Sequence, residues 1–84
     1  MKLQVRYFAS IREALGSGET VEVDAGCSIA ELRDRLISAS PAHAAALARG
    51  RALRCALNQQ LCDENQRVDA DGAELAFFPP VTGG

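Results

Sequence analysis

No run in this 84-residue chain approaches the ~18 consecutive apolar residues of a membrane-crossing helix. The opening segment MKLQVRYF lacks the long apolar core of a secretory signal and reads as a strand. A cytoplasmic protein without a membrane partner is therefore the expectation. Positive charge is not in excess either. Nine Lys and Arg stand against eleven Asp and Glu, a net charge of -2 with a pI near 5.2, which argues against nucleic acid as the main partner. Histidine occurs once, as His43, in an alanine-rich segment with no Cys, Asp or Glu at metal-ligand spacing. It is expected to be a solvent-exposed helical residue, and neither a metal site nor a permanently bound cofactor is expected. The three cysteines, Cys27, Cys55 and Cys62, form an odd set without a C-x-x-C motif, so they specify neither a disulfide framework nor a zinc site. A Gly-rich phosphate loop is missing, and no local motif supports a Ser-His-Asp or Cys-His site. Repeats, linkers and low-complexity segments are absent as well.

What is present is the patterning of one small globular domain. Hydrophobic residues make up 48% and charged residues 24%, which is outside the disordered range. Leu3, Val5 and Tyr7 alternate with Lys2, Gln4 and Arg6, the mark of a half-buried first strand. Ile11, Ala14 and Leu15 give helical spacing to Ala9–Leu15, which Gly16-Ser17-Gly18 ends. Thr20 to Val23 is a second strand with Val21 and Val23 inward. Ser28-Ile29-Ala30-Glu31 matches a capping box, with Cys27 placed to pack on Leu32 as a hydrophobic staple. The helix it opens carries an apolar stripe of Ile29, Leu32, Leu36 and Ile37, leaving Arg33, Asp34 and Arg35 for the wet side. Ser40-Pro41 opens an alanine-rich helix through Leu47, with Gly50 as its expected C-cap. Leu53, Cys55 and Leu57 alternate as a third strand, in which Cys55 acts as a small hydrophobe. Asn58-Gln59-Gln60 is a turn, and Leu61-Cys62 begins a short edge segment. After a tight turn over Asp69 to Gly72, the last strand sends Leu75 and Phe77 to one face and Ala76 and Phe78 to the other. The expected core is Leu3, Val5, Val21, Val23, Ile29, Leu32, Leu36, Leu53, Leu57, Leu75 and Phe77.

This order, with the last strand beside the first, gives an α+β fold. A mixed sheet carries the main helix on one face, which is the β-grasp (ubiquitin-like) architecture. The other face is left partly uncovered. Phe78, Phe8 and Leu61 are expected there as an apolar patch of the kind that marks a protein-binding surface. The domain is expected to span residues 1–78, followed by a flexible tail over residues 79–84, Pro79-Pro80-Val81-Thr82-Gly83-Gly84. The prolines stiffen the stem, and the two glycines oppose close approach to a surface least. Fully extended, the tail reaches at most roughly 20 Å. It suits a Gly84 carboxylate that threads a narrow channel and is acted on by another protein. A frayed end is the plainer alternative.

The ending Phe77-Phe78-Pro79-Pro80-Val81-Thr82-Gly83-Gly84 resembles that of the small subunits of molybdopterin synthase, a family of ubiquitin-like sulfur carriers. Val5-Arg6-Tyr7-Phe8-Ala9, Ile11-Arg12-Glu13, Ala56-Leu57-Asn58-Gln59 and Asp71-Gly72-Ala73-Glu74-Leu75 extend the likeness over essentially the whole chain. The resemblance implies that the Gly84 carboxylate is adenylated with ATP by a ubiquitin-activating-like adenylyltransferase. A sulfur donor protein then displaces AMP to leave a thiocarboxylate. The tail, with Gly83, enters the large subunit, in a heterotetramer, and gives sulfur to a cyclic pyranopterin precursor of molybdopterin. Phe78, Pro79, Pro80, Val81, Thr82, Phe8 and Leu61 are the implied docking residues, and the chain itself supplies no catalytic side chain. A protein modifier, a sulfur carrier for thiamine or RNA thiolation, and a plain interaction domain remain the alternatives. Lys2, the single lysine, disfavours polymeric conjugates but not single ones.

Overall fold

Five strands form one mixed sheet in the computed structural model, which describes residues 1–80. Strand β1 (Lys2–Tyr7) leads through helix α1 (Ala9–Leu15) into β2 (Gly18–Glu22). Short β3 (Cys27–Ser28) opens α2 (Ile29–Ile37), and α3 (Pro41–Leu47) follows. Then come β4 (Arg54–Leu57), β5 (Gln60–Cys62), β6 (Arg67–Val68) and β7 (Ala73–Phe78). The large sheet runs β2-β1-β7-β4-β5, with β1 and β7 parallel and the other neighbours antiparallel. β3 and β6 pair apart from it as a two-stranded ribbon. This is the expected β-grasp order, with the ribbon added.

Alternation in β1 and β7 builds the floor of the core. Leu3 lies opposite Ala73, Val5 opposite Leu75 and Tyr7 opposite Phe77, and all six are buried. Ile11 of α1, Ile29, Leu32 and Leu36 of α2, and Ala46 and Leu47 of α3 close over them in one cluster. The capping box forms as expected. Ser28 Oγ accepts from the Glu31 N–H at 3.1 Å, and the Ser28 N–H donates to Glu31 Oε1 at 3.3 Å. Gly18 is not part of the turn. It belongs to β2, opposite Arg6, where a Cβ would run into the Val5 carbonyl oxygen.

The core departs from expectation in detail. Val21, Leu53 and Leu57 are half-buried at its margin. Tyr7, Ile11, Ala46, Leu47, Cys55, Val68 and Ala73 are fully part of it. The larger correction is Arg33, expected on the wet side of α2 but only 3% exposed. Its guanidinium donates to the carbonyls of Leu47 at 2.8 Å, Ala48 at 2.6 Å and Arg51 at 3.0 Å, and to Glu64 Oε2 at 2.6 Å. Two of these carbonyls lie at the C-terminal end of α3, where a cation is favoured. That end therefore stops at Ala48 rather than at the expected Gly50. Arg49 bonds the other oxygen of Glu64 at 2.8 Å and Asp34 at 2.7 Å, tying the same loops from outside.

His43 is a second correction. It is not solvent-exposed; its side chain is 18% exposed and held at both ends. Nδ1 lies 2.7 Å from Ser40 Oγ and Nε2 lies 2.7 Å from Glu19 Oε2, while Tyr7 OH donates to the same oxygen at 2.7 Å. The group clamps α3 to β2 over the end of β1. Burial works against the charged form of Glu19, but the hydrogen bonds from His43 and Tyr7 outweigh it and hold the carboxyl below its ordinary range. Burial first, and then Glu19 itself, push the Tyr7 phenol well above its ordinary value.

Two outcomes follow from these polar groups. Arg33→Leu removes a buried cation that serves three carbonyls and the Glu64 carboxylate, of which Glu64 keeps Arg49 and the Ala48 carbonyl keeps the Arg51 N–H, and should cost about 3–5 kcal/mol in urea unfolding. Arg33→Lys should not restore it, because one ammonium lacks the planar fork that reaches four acceptors. For Glu19, a folded value below the unfolded one means stabilisation at neutral pH that is lost as pH falls through the folded value. Unfolding free energy measured from about pH 6 to about pH 3 should therefore fall less steeply in Glu19→Gln than in the parent chain. An unchanged slope would remove Glu19 from the clamp.

Candidate functional site

The pleat sends every second side chain of the sheet away from the helices. On β1 these are Lys2, Gln4 and Arg6, and on β7 they are Glu74, Ala76 and Phe78. Phe8 continues β1 by one extended residue, its N–H donating to the Phe77 carbonyl at 3.2 Å, so it stands at the Phe78 end of the same face. Arg54 pairs with Phe78, Ala56 with Ala76, and Leu61 with Ala56. A row of Arg6, Ala76, Ala56 and Leu61 thus crosses four strands. Its two alanines make a low floor between Leu61 at the sheet edge and the two phenylalanines.

Leu61 is 66% exposed and Phe8 40%, and these are the exposed large hydrophobic residues among those described. Phe78 is half-buried, as is Pro79, whereas Pro80 is exposed. The structure therefore gathers Phe78, Phe8 and Leu61 on one face, as expected, with Phe78 the most covered. Its strand is central and has neighbours on both sides, whereas Leu61 sits on an edge strand. The polar rim was not foreseen. On β1, β4 and β7 the open face carries the cations Lys2, Arg6 and Arg54 against one carboxylate, Glu74, which lies 3.6 Å from Arg6. That exposed pair contributes little to stability. Glu22 of β2, opposite Lys2, adds a second carboxylate, so the whole face carries three cations against two anions.

β7 ends at Phe78, because Pro79 and Pro80 have no N–H to extend the ladder. The stem thus leaves the sheet beside Phe8 and Arg54. Val81, Thr82, Gly83 and Gly84, the remaining residues expected of the site, lie outside the described residues. Among the described residues, no group of three or more His, Cys, Asp or Glu side chains is placed to hold a metal ion. No described helix is long and apolar enough to cross a membrane.

Ser40, His43 and Glu19 line up as a nucleophilic triad does, a contact no local motif announced. The order of the imidazole nitrogens is reversed, however: Nδ1 faces the serine and Nε2 the carboxylate. Ser40 Oγ also accepts the His43 N–H at 3.1 Å as the cap of α3. The hydroxyl is committed to structure, and the arrangement works as a clamp.

Residues 5–84 match the model of the ThiS family. The chain is 38% identical to the molybdopterin synthase sulfur carrier subunit of Escherichia coli (strain K12), over 98% of this chain and 99% of that one. It is 39% identical to the subunit of the same description from Haemophilus influenzae, over 98% and 99%. Among solved structures, the complex of subunits 1 and 2 of the molybdopterin-converting factor from Helicobacter pylori contains a chain that matches with a TM-score of 0.71 and 27% identity, covering 100% of both. Small archaeal modifier protein 1 of Haloferax volcanii matches with a TM-score of 0.75 and 27% identity, over 95% and 98%. The chain belongs to the ThiS family.

Proposed function

We propose that this member of the ThiS family is the sulfur-carrier subunit of a molybdopterin synthase. It is a non-catalytic partner whose tail delivers sulfur to an enzyme. The observation that carries the reading is the course of β7. It runs from the buried core and hands the chain to Pro79-Pro80 at the margin of an open apolar face. A surface for docking and a stem for delivery are thereby joined in one strand. Full-length likeness to sulfur-carrier subunits from two bacteria supports the choice of product.

In this reading Phe78, Phe8 and Leu61 dock on the large subunit, with the charged rim around them facing polar groups of the partner. The likeness to a chain from a two-subunit complex supports such a partner. A heterotetramer is the proposed assembly. The mechanism requires Gly84 to be the free C-terminus, where its carboxylate is ionised at neutral pH, with an ordinary value of about 3.3–3.7. An adenylyltransferase couples that carboxylate to the α-phosphate of ATP. A sulfur donor then displaces AMP, and the resulting thiocarboxylate gives its sulfur to a cyclic pyranopterin precursor. A second reading, conjugation to lysines as a protein modifier, is favoured by the likeness to small archaeal modifier protein 1. Both routes begin with adenylation, so the fate of the acyl group separates them.

The deciding experiment co-expresses the chain with an adenylyltransferase and a sulfur source. The C-terminal peptide should carry sulfur in place of one oxygen, whereas a modifier should instead appear, after trypsin, as the segment from Val68 to Gly84 joined through Gly84 to lysines of other proteins, since no Lys or Arg follows Arg67. Deleting Gly84 should abolish single-turnover product formation while binding to the large subunit survives. The shortened carboxylate would fall roughly 3.3–3.6 Å from its place, more than a reacting geometry tolerates. Normal product formation by the truncated chain would make the tail a docking arm only. Phe78→Ala should weaken the complex by at least about 1 kcal/mol in calorimetry while leaving the isolated fold nearly intact.

A further inference from the structure

The odd cysteine count conceals a pair. Cys55 on β4 lies directly opposite Cys62 on β5, and their sulfurs are 3.8 Å apart. Sulfurs this close touch, and nothing stands between them. Cys27 belongs to β3 of the separate ribbon. The pairing follows from a two-residue turn, Asn58-Gln59, with both residues at positive φ, +49° and +68°. That is the two-residue hairpin pattern in which Asn is favoured and a non-Gly second residue is strained. Asn58 is held from outside the hairpin, its N–H donating to the Glu74 carbonyl at 2.7 Å. The turn therefore fixes the register that sets the two cysteines face to face.

We propose that Cys55 and Cys62 form a reversible dithiol–disulfide site that latches the β4–β5 hairpin when a small-molecule disulfide oxidises it. Cys62 is half-buried and lines an open cleft of about 390 Å³ with Leu53, Arg54, Leu61, Asp63 and Glu64, which gives a reagent access. Cys55 is 3% exposed, and burial, together with its neighbour Cys62, pushes its thiol up to about 12. Attack therefore begins at Cys62. Its thiolate displaces one sulfur of the reagent disulfide, which leaves as a thiol with the Cys62 proton. The Cys55 sulfur then attacks the mixed disulfide at Cys62 and expels the second thiol with its own proton. Two protein thiols lose two electrons, and one reagent disulfide becomes two thiols. The protein sulfurs need to close by about 1.8 Å to reach bonding distance, a movement open to side-chain rotation because the residues are directly opposed. The high value at Cys55 makes the second step slow, and the ratio of reagent disulfide to thiol sets how much of the pair is closed. The latched strand is the one that carries Leu61.

The test uses the full chain with oxidised and reduced glutathione in varied ratio, quenched by a thiol alkylator. Trypsin releases Cys55 to Arg67 as one peptide, since no Lys or Arg lies between. At high oxidised glutathione that peptide should lack two hydrogen atoms and resist alkylation, while Cys27 alkylates. Excess reduced glutathione should restore both thiols, and the oxidised chain should melt several degrees higher, because the closed ring constrains the unfolded chain. Cys62→Ser should lose the closed peptide. Cys27→Ser keeps the pair and should still form the closed peptide. A glutathione adduct that persists on Cys62 without ring closure, or linkage through Cys27, overturns the proposal.

Discussion

The parallel pairing of the first and last strands is the constraint on which the rest of the molecule depends. β1 and β7 lie side by side at the centre of the sheet, and their inward residues make the floor of the core. Side chains alternate with a period of two, so a slip of one residue would carry Phe77 to the solvent and Phe78 to the core. The register therefore does two things at once. It buries Tyr7 against Phe77, and it turns Phe78 and the start of the proline stem onto the open face. The tail cannot be re-aimed without undoing the centre of the fold. Parallel neighbours also need a long crossover, and that crossover is the set of helices covering the inner face. The outer face stays bare because α1, α2 and α3, the helices of that crossover, all pack on the other side.

Covering the inner face brings a problem of its own. α3 ends inside the structure, and its last carbonyls need donors where water is scarce. Arg33 supplies them from α2, and Glu64 neutralises it from the loop between β5 and β6. One side chain thus joins α2, α3 and two loops. On the opposite flank, His43, Glu19 and Tyr7 close α3 onto β2. The helical layer is held at both ends by polar groups and in the middle by Leu32, Leu36 and Leu47.

The legible parts of the sequence were those with local causes. The alternation in β1 and β7, the capping box at Ser28, the proline opening α3 and the patch of Phe8, Leu61 and Phe78 all follow from neighbouring residues or strict periods. The parts that were not legible have distant causes. Arg33 looks like a wet-face residue because its partners lie 14, 15, 18 and 31 positions away. His43 looks exposed because Glu19 is 24 positions away. Val68 belongs to a two-residue strand, too short to show a period. The cysteine pair could have been found. Cys55 and Cys62 are equidistant from Asn58-Gln59, and opposite positions in a hairpin follow once a two-residue turn is placed there.

The open face has its own logic beyond mere lack of cover. Large side chains in its middle would form a second hydrophobic cluster and invite association with any apolar surface. Ala56 and Ala76 keep the middle low, and the apolar bulk stands at the margins in Leu61, Phe8 and Phe78. Lys2, Arg6 and Arg54, with Glu22 and Glu74 between them, give it a charged polar rim that a partner has to match. The docking chemistry proposed for this face resides on strands fixed by the core, whereas the delivery chemistry proposed for Gly84 resides beyond a proline stem that belongs to no strand. Only six residues follow Phe78 in the sequence, so chain length bounds the distance between anchor and carboxylate. A tail that worked by reach in this way gains nothing from added side chains, and Gly83-Gly84 has none.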